Sequence, residues 1–322
     1  MKPSIIVFAV LLSSCAAALA QTRVDAPASD RRQAMQAAAE ALAVGRRAEA
    51  ADMYRAIADR DQSVQALLQL ARIQSGDGDA QGAIESLRRA RALAPNSEEV
   101  LSALAQVSLA TRALVPAILT LESLTRMCPT VAQYHYLLGV ALMQAGEMIG
   151  ATEMLERAEQ LEAGRLLTLV ALGLAYNNRK MYAEALTPLR RAVEIEPDNV
   201  EAVAALAEAE EGMGAEQPAE SHARRALEQT PQHARANLVL GLVLMRKQRF
   251  EEARDAFLRA AAADPLLPRP HYQLSLAYAR LEDHASSAKH REIYQQKLRE
   301  FEARLQQLRA NTGFGTGGGM RP

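Results

Sequence analysis

The sequence predicts an all-α solenoid of about eight helix-turn-helix repeats, and three observations carry that prediction. Pro95, Pro129, Pro197, Pro231 and Pro265 stand 34, 68, 34 and 34 residues apart, with Ala163 in the frame where a proline is missing. In the same frame a small residue recurs as Ala71, Ala105, Gly139, Gly173, Ala207, Gly241 and Ser275. A second recurs twelve residues further on, as Ala83, Ala117, Ala151, Ala185, Ala219, Ala253 and Ser287. Hydrophobic residues make up 49% of the 322, yet aromatics only 4%, and there is no Trp. Such an Ala- and Leu-rich interior suits closely packed helices better than strands, and a fixed period of this length is the mark of a repeat array.

The N-terminal segment is of another kind. Lys2 precedes an uncharged run from Ile5 to Leu12, and small residues lead to Ala18-Leu19-Ala20-Gln21. A positive start, a short apolar stretch and a small-x-small site describe a signal peptide over 1–20. The chain is therefore expected to be exported, and periplasmic if the segment is cleaved after Ala20. Leu12-Ser13-Ser14-Cys15 is similar to a bacterial lipobox, which makes an outer-membrane lipoprotein anchored through Cys15 the alternative. A linker, 21–30, follows. Residues 31–63 read as a degenerate first repeat, with Ala50, Tyr54 and Ala58 on its second helix.

Residues 64–265 carry six clear 34-residue units: 64–97, 98–131, 132–165, 166–199, 200–233 and 234–267. Within one unit Leu169, Leu172, Gly173 and Tyr176 lie on one face of a helix, and Ala185, Leu189 and Ala192 on one face of a second. The small positions let the two helices approach closely while the larger ones fill the space around the crossing. Turns such as Gly76-Asp77-Gly78-Asp79 and Gly146-Glu147 separate the helices. The unit-ending Pro stops the second helix, and Asn96-Ser97 or Asp198-Asn199 cap the next.

Residues 268–310 begin as an eighth repeat, with Leu274, Ser275 and Tyr278, and continue as a long helix. Tyr294, Leu298, Phe301, Leu305 and Leu308 are spaced 4, 3, 4 and 3, a heptad seam. The seam fits a helix capping the last repeat, or a short coiled coil that makes a homodimer through 282–310. The Gly-rich end, 311–322, is expected to be disordered.

Composition narrows the function. Basic and acidic residues number 37 and 38, so nothing resembles the basic surplus of a nucleic-acid binder. No other stretch approaches bilayer-spanning length, which leaves a lipid anchor as the one expected route to a membrane. Gly313-Phe-Gly315-Thr-Gly-Gly318 spells GxGxxG, but no strand feeds it and no helix receives a phosphate. The six histidines, His135, His222, His233, His271, His284 and His290, show no i, i+3 or i+4 pairing that would place two metal ligands on one helical face. No Ser or Cys sits in a nucleophile context. If Cys15 leaves with the signal, Cys128 stands alone and reads as a small hydrophobe. Neither catalysis nor a cofactor nor a metal is expected.

The order Leu-Gly/Ala, Tyr, Ala, Phe/Leu, Ala, Pro over 34 residues resembles the tetratricopeptide repeat family, throughout 64–265. The family's aromatic at the fourth position is replaced by Leu67, Leu101, His135, Leu169, Val203, Asn237 and His271. The resemblance implies a right-handed superhelical solenoid whose first helices line a concave groove, mainly through their second, fifth, ninth and twelfth positions. These are Tyr136, Val140 and Met143 in unit four, and Val170, Leu174 and Asn177 in unit five. Leu238, Leu242 and Met245 follow in unit seven, and Tyr272 and Leu276 in unit eight. Unit six interrupts this largely apolar stripe with Glu201, Glu208 and Glu211, and Arg235, Arg246, Arg269 and Arg280 follow. The acids read either as salt-bridge partners between repeats or as a polar register mark in the groove. The expected function is a non-enzymatic scaffold or adaptor of the bacterial cell envelope, holding a partner helix or extended apolar peptide. A structural homo-oligomer assembled through the C-terminal heptad helix is the alternative.

Overall fold

The computed structural model describes residues 29–312, and every regular element among them is an α-helix. The expected signal peptide, Cys15 and most of the expected linker and tail lie outside the described residues. Residues 29 and 30, expected in the linker, already belong to the first helix, α1 (29–43). The last helix runs to Thr312, two residues into the expected tail. No helix among the described residues is long and apolar enough to cross a membrane.

The helices fall into two units that divide between Ala113 and Leu114. The first holds α1, α2 (Arg47–Asp61), α3 (Val64–Gly76), α4 (Ala80–Leu93) and α5 (Glu98–Ala110). Its core joins Ala38, Tyr54, Leu67, Leu70, Ile73, Leu87 and Leu104. The second unit holds α6 (Leu114–Met127), α7 (Ala132–Ala145), α8 (Met148–Leu161), α9 (Leu166–Asn178) and α10 (Tyr182–Ile195). It continues through α11 (Val200–Gly212), α12 (Glu216–Gln229), α13 (Ala234–Arg246), α14 (Phe250–Ala263), α15 (Arg269–Arg280) and α16 (His284–Thr312).

Three local devices repeat. The first is the cap: Ser63, Ser97 and Asn199 each accept a hydrogen bond from the backbone N–H three residues on, at 3.3, 3.4 and 3.0 Å, and His233 Nδ1 does so at 3.3 Å. The second is the turn between the paired helices. Its pivot is a left-handed residue that recurs every 34 positions, as Gly78, Arg112, Gly146, Lys180, Gly214, Gln248 and Glu282. Only three of these are glycine, so the turn geometry outlives the residue best suited to it.

The third device sets the distance between the paired helices. A Cβ built on Gly139 would lie 2.6 Å from Leu155 Cγ and 3.1 Å from the Ala151 carbonyl oxygen, and one on Gly173 or Gly241 would overlap Leu189 or Phe257. Leu155, Leu189 and Phe257 are fully buried. The missing side chain on one helix is thus the seat for the large side chain sixteen residues later.

Two stability outcomes follow. Gly139→Val should cost about 1–3 kcal/mol through overpacking, and urea midpoints should show strong non-additivity with Leu155→Ala, which empties the same seat. Lys180→Gly should raise stability by about 1 kcal/mol, because a left-handed conformation costs an L-residue roughly that much, read as an increase in Tm followed by circular dichroism.

Candidate inner face of the second unit

In the second unit the first helices of successive repeats touch along a continuous series, α7 to α9, α9 to α11, α11 to α13 and α13 to α15. The second helices, α8, α10, α12 and α14, form no matching series. Crowding on one side and separation on the other means that the array curves, with the first helices inside. The inner face therefore carries the second, fifth, ninth and twelfth positions of α7, α9, α11, α13 and α15.

Tyr136, Val140 and Met143 of α7 are half-buried against Leu155, Ala171, Leu172 and Ala175. The Arg165 guanidinium stands over the Tyr136 ring, 5.5 Å from its centroid, and donates to Gln133 Oε1. Burial pushes the Tyr136 phenol up from its ordinary pKa. On α9, Val170 packs by Leu169 and Ala202, and Leu174 by Leu189 and Leu206, both half-buried. Asn177 is only 3% exposed, and its side-chain amide donates to the Ala205 carbonyl at 2.8 Å, so it ties α9 to α11. Leu238 is likewise buried, within the α13–α14 core, while Leu242 and Met245 are half-buried beside it. Tyr272 and Leu276 of α15 are 43% and 36% exposed. The eleven residues thus share a face, but two are spent on packing and two stand in the open.

The charged interruption on α11 is a built network. Glu208, 7% exposed, is held by Arg235 of the next repeat and by Arg269, at 3.1 Å, of the one after. Glu211 pairs with Arg246, and Glu201 with Arg235 and with His233 Nε2 at 3.0 Å. The hydrogen bond with His233 holds the Glu201 carboxyl below the ordinary carboxylate range, whereas burial raises that of Glu211. The salt-bridge reading of these acids is therefore what the geometry displays. Arg269 reaching past α13 to α11 also shows how tightly the inner face is wound.

Two contributors lay in the same repeat frame without drawing notice from residue type. Leu167, at the second position of α9, is 55% exposed on the inner face. The paired positions twelve apart within a repeat give Gln74–Ser86 at 2.7 Å, Glu210–His222 at 2.7 Å and the Tyr278–His290 ring contact. Reading both columns down the frame would have exposed them.

Glu208→Gln should lower stability by about 1–2 kcal/mol, since it withdraws charge from two arginines at a nearly dry site. Glu252→Gln, on an exposed pair at the outer surface, should change it by less than about 0.5 kcal/mol. Urea titrations of the two variants in parallel check this.

Models of the tetratricopeptide repeat match residues 35–98 and 206–268, 74–141, and 168–199. No curated protein matches the sequence. Among solved structures, a tetratricopeptide repeat protein from Parabacteroides merdae ATCC 43184 is similar at a TM-score of 0.56 and 15% identity, over 77% of this chain and 99% of that one. The APC/C hetero-tetramer Cut9-Hcn1 is similar at 0.54 and 17%, over 70% and 45%. A MamA protein is similar at 0.49 and 24%, over 52% and 92%.

Proposed function

The chain belongs to the tetratricopeptide repeat family, and from that premise we propose that the inner face of its second unit is a non-catalytic docking groove for a protein partner. Proteins of this family generally act as interaction scaffolds. The observation that carries the reading is the apolar surface left open on the inner face, at Leu167, Tyr272 and Leu276. Their weight lies in sharing one concave face with the half-buried apolar side chains beside them, the setting in which exposed apolar surface marks an interaction site. An amphipathic helix or an extended apolar segment is the partner such a surface accommodates, with apolar anchors on either side of the Glu208 network. The network is already neutralised by its own arginines, so it contributes alignment more than attraction.

The proposal extends to location. The Lys2-to-Ala20 segment supports export to the bacterial cell envelope, with the mature chain periplasmic or, in the alternative, held at the outer membrane by a lipid on Cys15. Intact mass of the mature protein separates the two forms.

Immobilised protein should retain specific envelope proteins from a native extract, and the Tyr272→Ala/Leu276→Ala variant, equally helical, should lose at least tenfold of them. Equal retention by both forms would defeat the groove reading. A mass that doubles with concentration, unchanged in that variant, would favour the homo-oligomer built on the C-terminal helix instead.

A further inference from the structure

The C-terminal helix is more than the second helix of the last repeat. Its first half packs on α15: Ser287 Oγ donates to the Ser275 carbonyl at 2.8 Å, the Tyr294 ring lies 5.3 Å from that of Tyr272, and Lys297 Nζ donates to the Pro265 carbonyl. There the last repeat ends, because Pro265 precedes α15. The helix nevertheless continues to Thr312, about 22 Å at 1.5 Å per residue. The same helix also approaches α6 and α7, at the opposite end of the second unit. A helix that joins the last repeat to the first ones of a curved array runs as a chord across the arc.

The root of this chord holds a paired imidazole. His271 of α15 and His290 of α16 meet with their Nδ1 atoms 3.1 Å apart. Their ring centroids are 5.3 Å apart and their planes 19° from parallel. That separation is close to the nitrogen distance plus one ring radius on each side, so the rings meet edge to edge along a hydrogen bond. One Nδ1 must then donate and the other accept, so the accepting ring is neutral and the bond is lost once both rings are protonated. Tyr278 stacks on His290 at 5.4 Å and 8°.

We propose that α16 is a strap closed across the inner face of the second unit, fastened at its root by the His271–His290 hydrogen bond, so that a partner gains the groove fully only when the strap lifts. The proposal rests on the groove reading above and adds its regulation. The groups facing the fastening are cationic or phenolic: Lys297 and His290 towards His271, Lys289 towards His290, and Arg254 of α14 beside Tyr278. Burial first, then His290 and Lys297, brings the His271 imidazole down to about 4, and burial with Lys289 lowers that of His290. A released His271 would return towards 6.5. Between pH 6.5 and about 4 the released state therefore binds more protons than the fastened one, and acidification favours release. For His271 alone, moving from pH 7.5 to pH 5 should shift the fastened-to-released ratio by roughly thirty-fold.

The test needs no partner, so it fails or succeeds apart from the groove reading. In the chain with Cys15 and Cys128 replaced by Ser, spin labels at Gln144→Cys on α7 and Gln307→Cys on α16 report the chord as one narrow distance at pH 7.5. A broad distribution at pH 7.5 would overturn the strap. Amide hydrogen exchange then reads the fastening: protection factors across 284–297 should fall by roughly thirty-fold between pH 7.5 and pH 5. The His271→Phe/His290→Phe variant, whose rings pack without a proton, should lose that fall while keeping its helicity. Protection that does not change with pH, or that falls equally in the variant, would overturn the fastening.

Discussion

The close seat between paired helices, filled by a small residue in every repeat and by glycine in three, is the constraint on which everything else depends. Where Gly139, Gly173 and Gly241 lie, no Cβ can be present, because Leu155, Leu189 and Phe257 occupy that space fully buried. A side chain seated so deeply fixes separation and rotation at once, and the left-handed pivot repeated every 34 residues fixes the direction in which the chain returns. Each repeat therefore hands the next nearly the same geometry. Curvature accumulates, the first helices crowd together inside, and an inner face exists only because of that accumulation.

On that face, packing and exposure are unevenly shared. Asn177 and Leu238 are consumed in joining neighbouring helices, while Tyr272 and Leu276 near the end of the array remain open. Position in the array contributes, since α15 has a neighbouring first helix on its N-terminal side only, together with α16. Position in the helix contributes too, since Leu167 at the start of the internal α9 is 55% exposed. The Glu208 network bridges three successive repeats through Arg235 and Arg269, tying their spacing together. Its buried charges are retained with partners for each, as desolvated charges must be.

Much of this was legible in the sequence, and the physical reason is locality. Helix, turn and cap depend on residues within a few positions of one another, so Ser97, Asn199 and the small residues announce them. The pivot was half legible: Gly78, Gly146 and Gly214 show it, whereas Arg112, Lys180, Gln248 and Glu282 adopt the same left-handed backbone without the residue that signals it. The face shared by Tyr136, Val170, Leu242 and Tyr272 follows from counting positions in the frame. Which of them stays open does not, because burial depends on curvature summed over several repeats. The same holds for the C-terminal helix. Its heptad spacing declares a helix with an apolar seam, but its approach to α6 and α7 is a consequence of how far the array has turned by α15.

Site-specific photocross-linking in intact cells tests the inner-face account most directly. A photoreactive phenylalanine placed at Leu276, on the inner face, is compared with one at Ile195, which is 52% exposed at the end of α10 on the outer side. The account predicts discrete partner adducts from Leu276 and none of the same species from Ile195. The same adducts from both positions, or adducts from Ile195 alone, would contradict it.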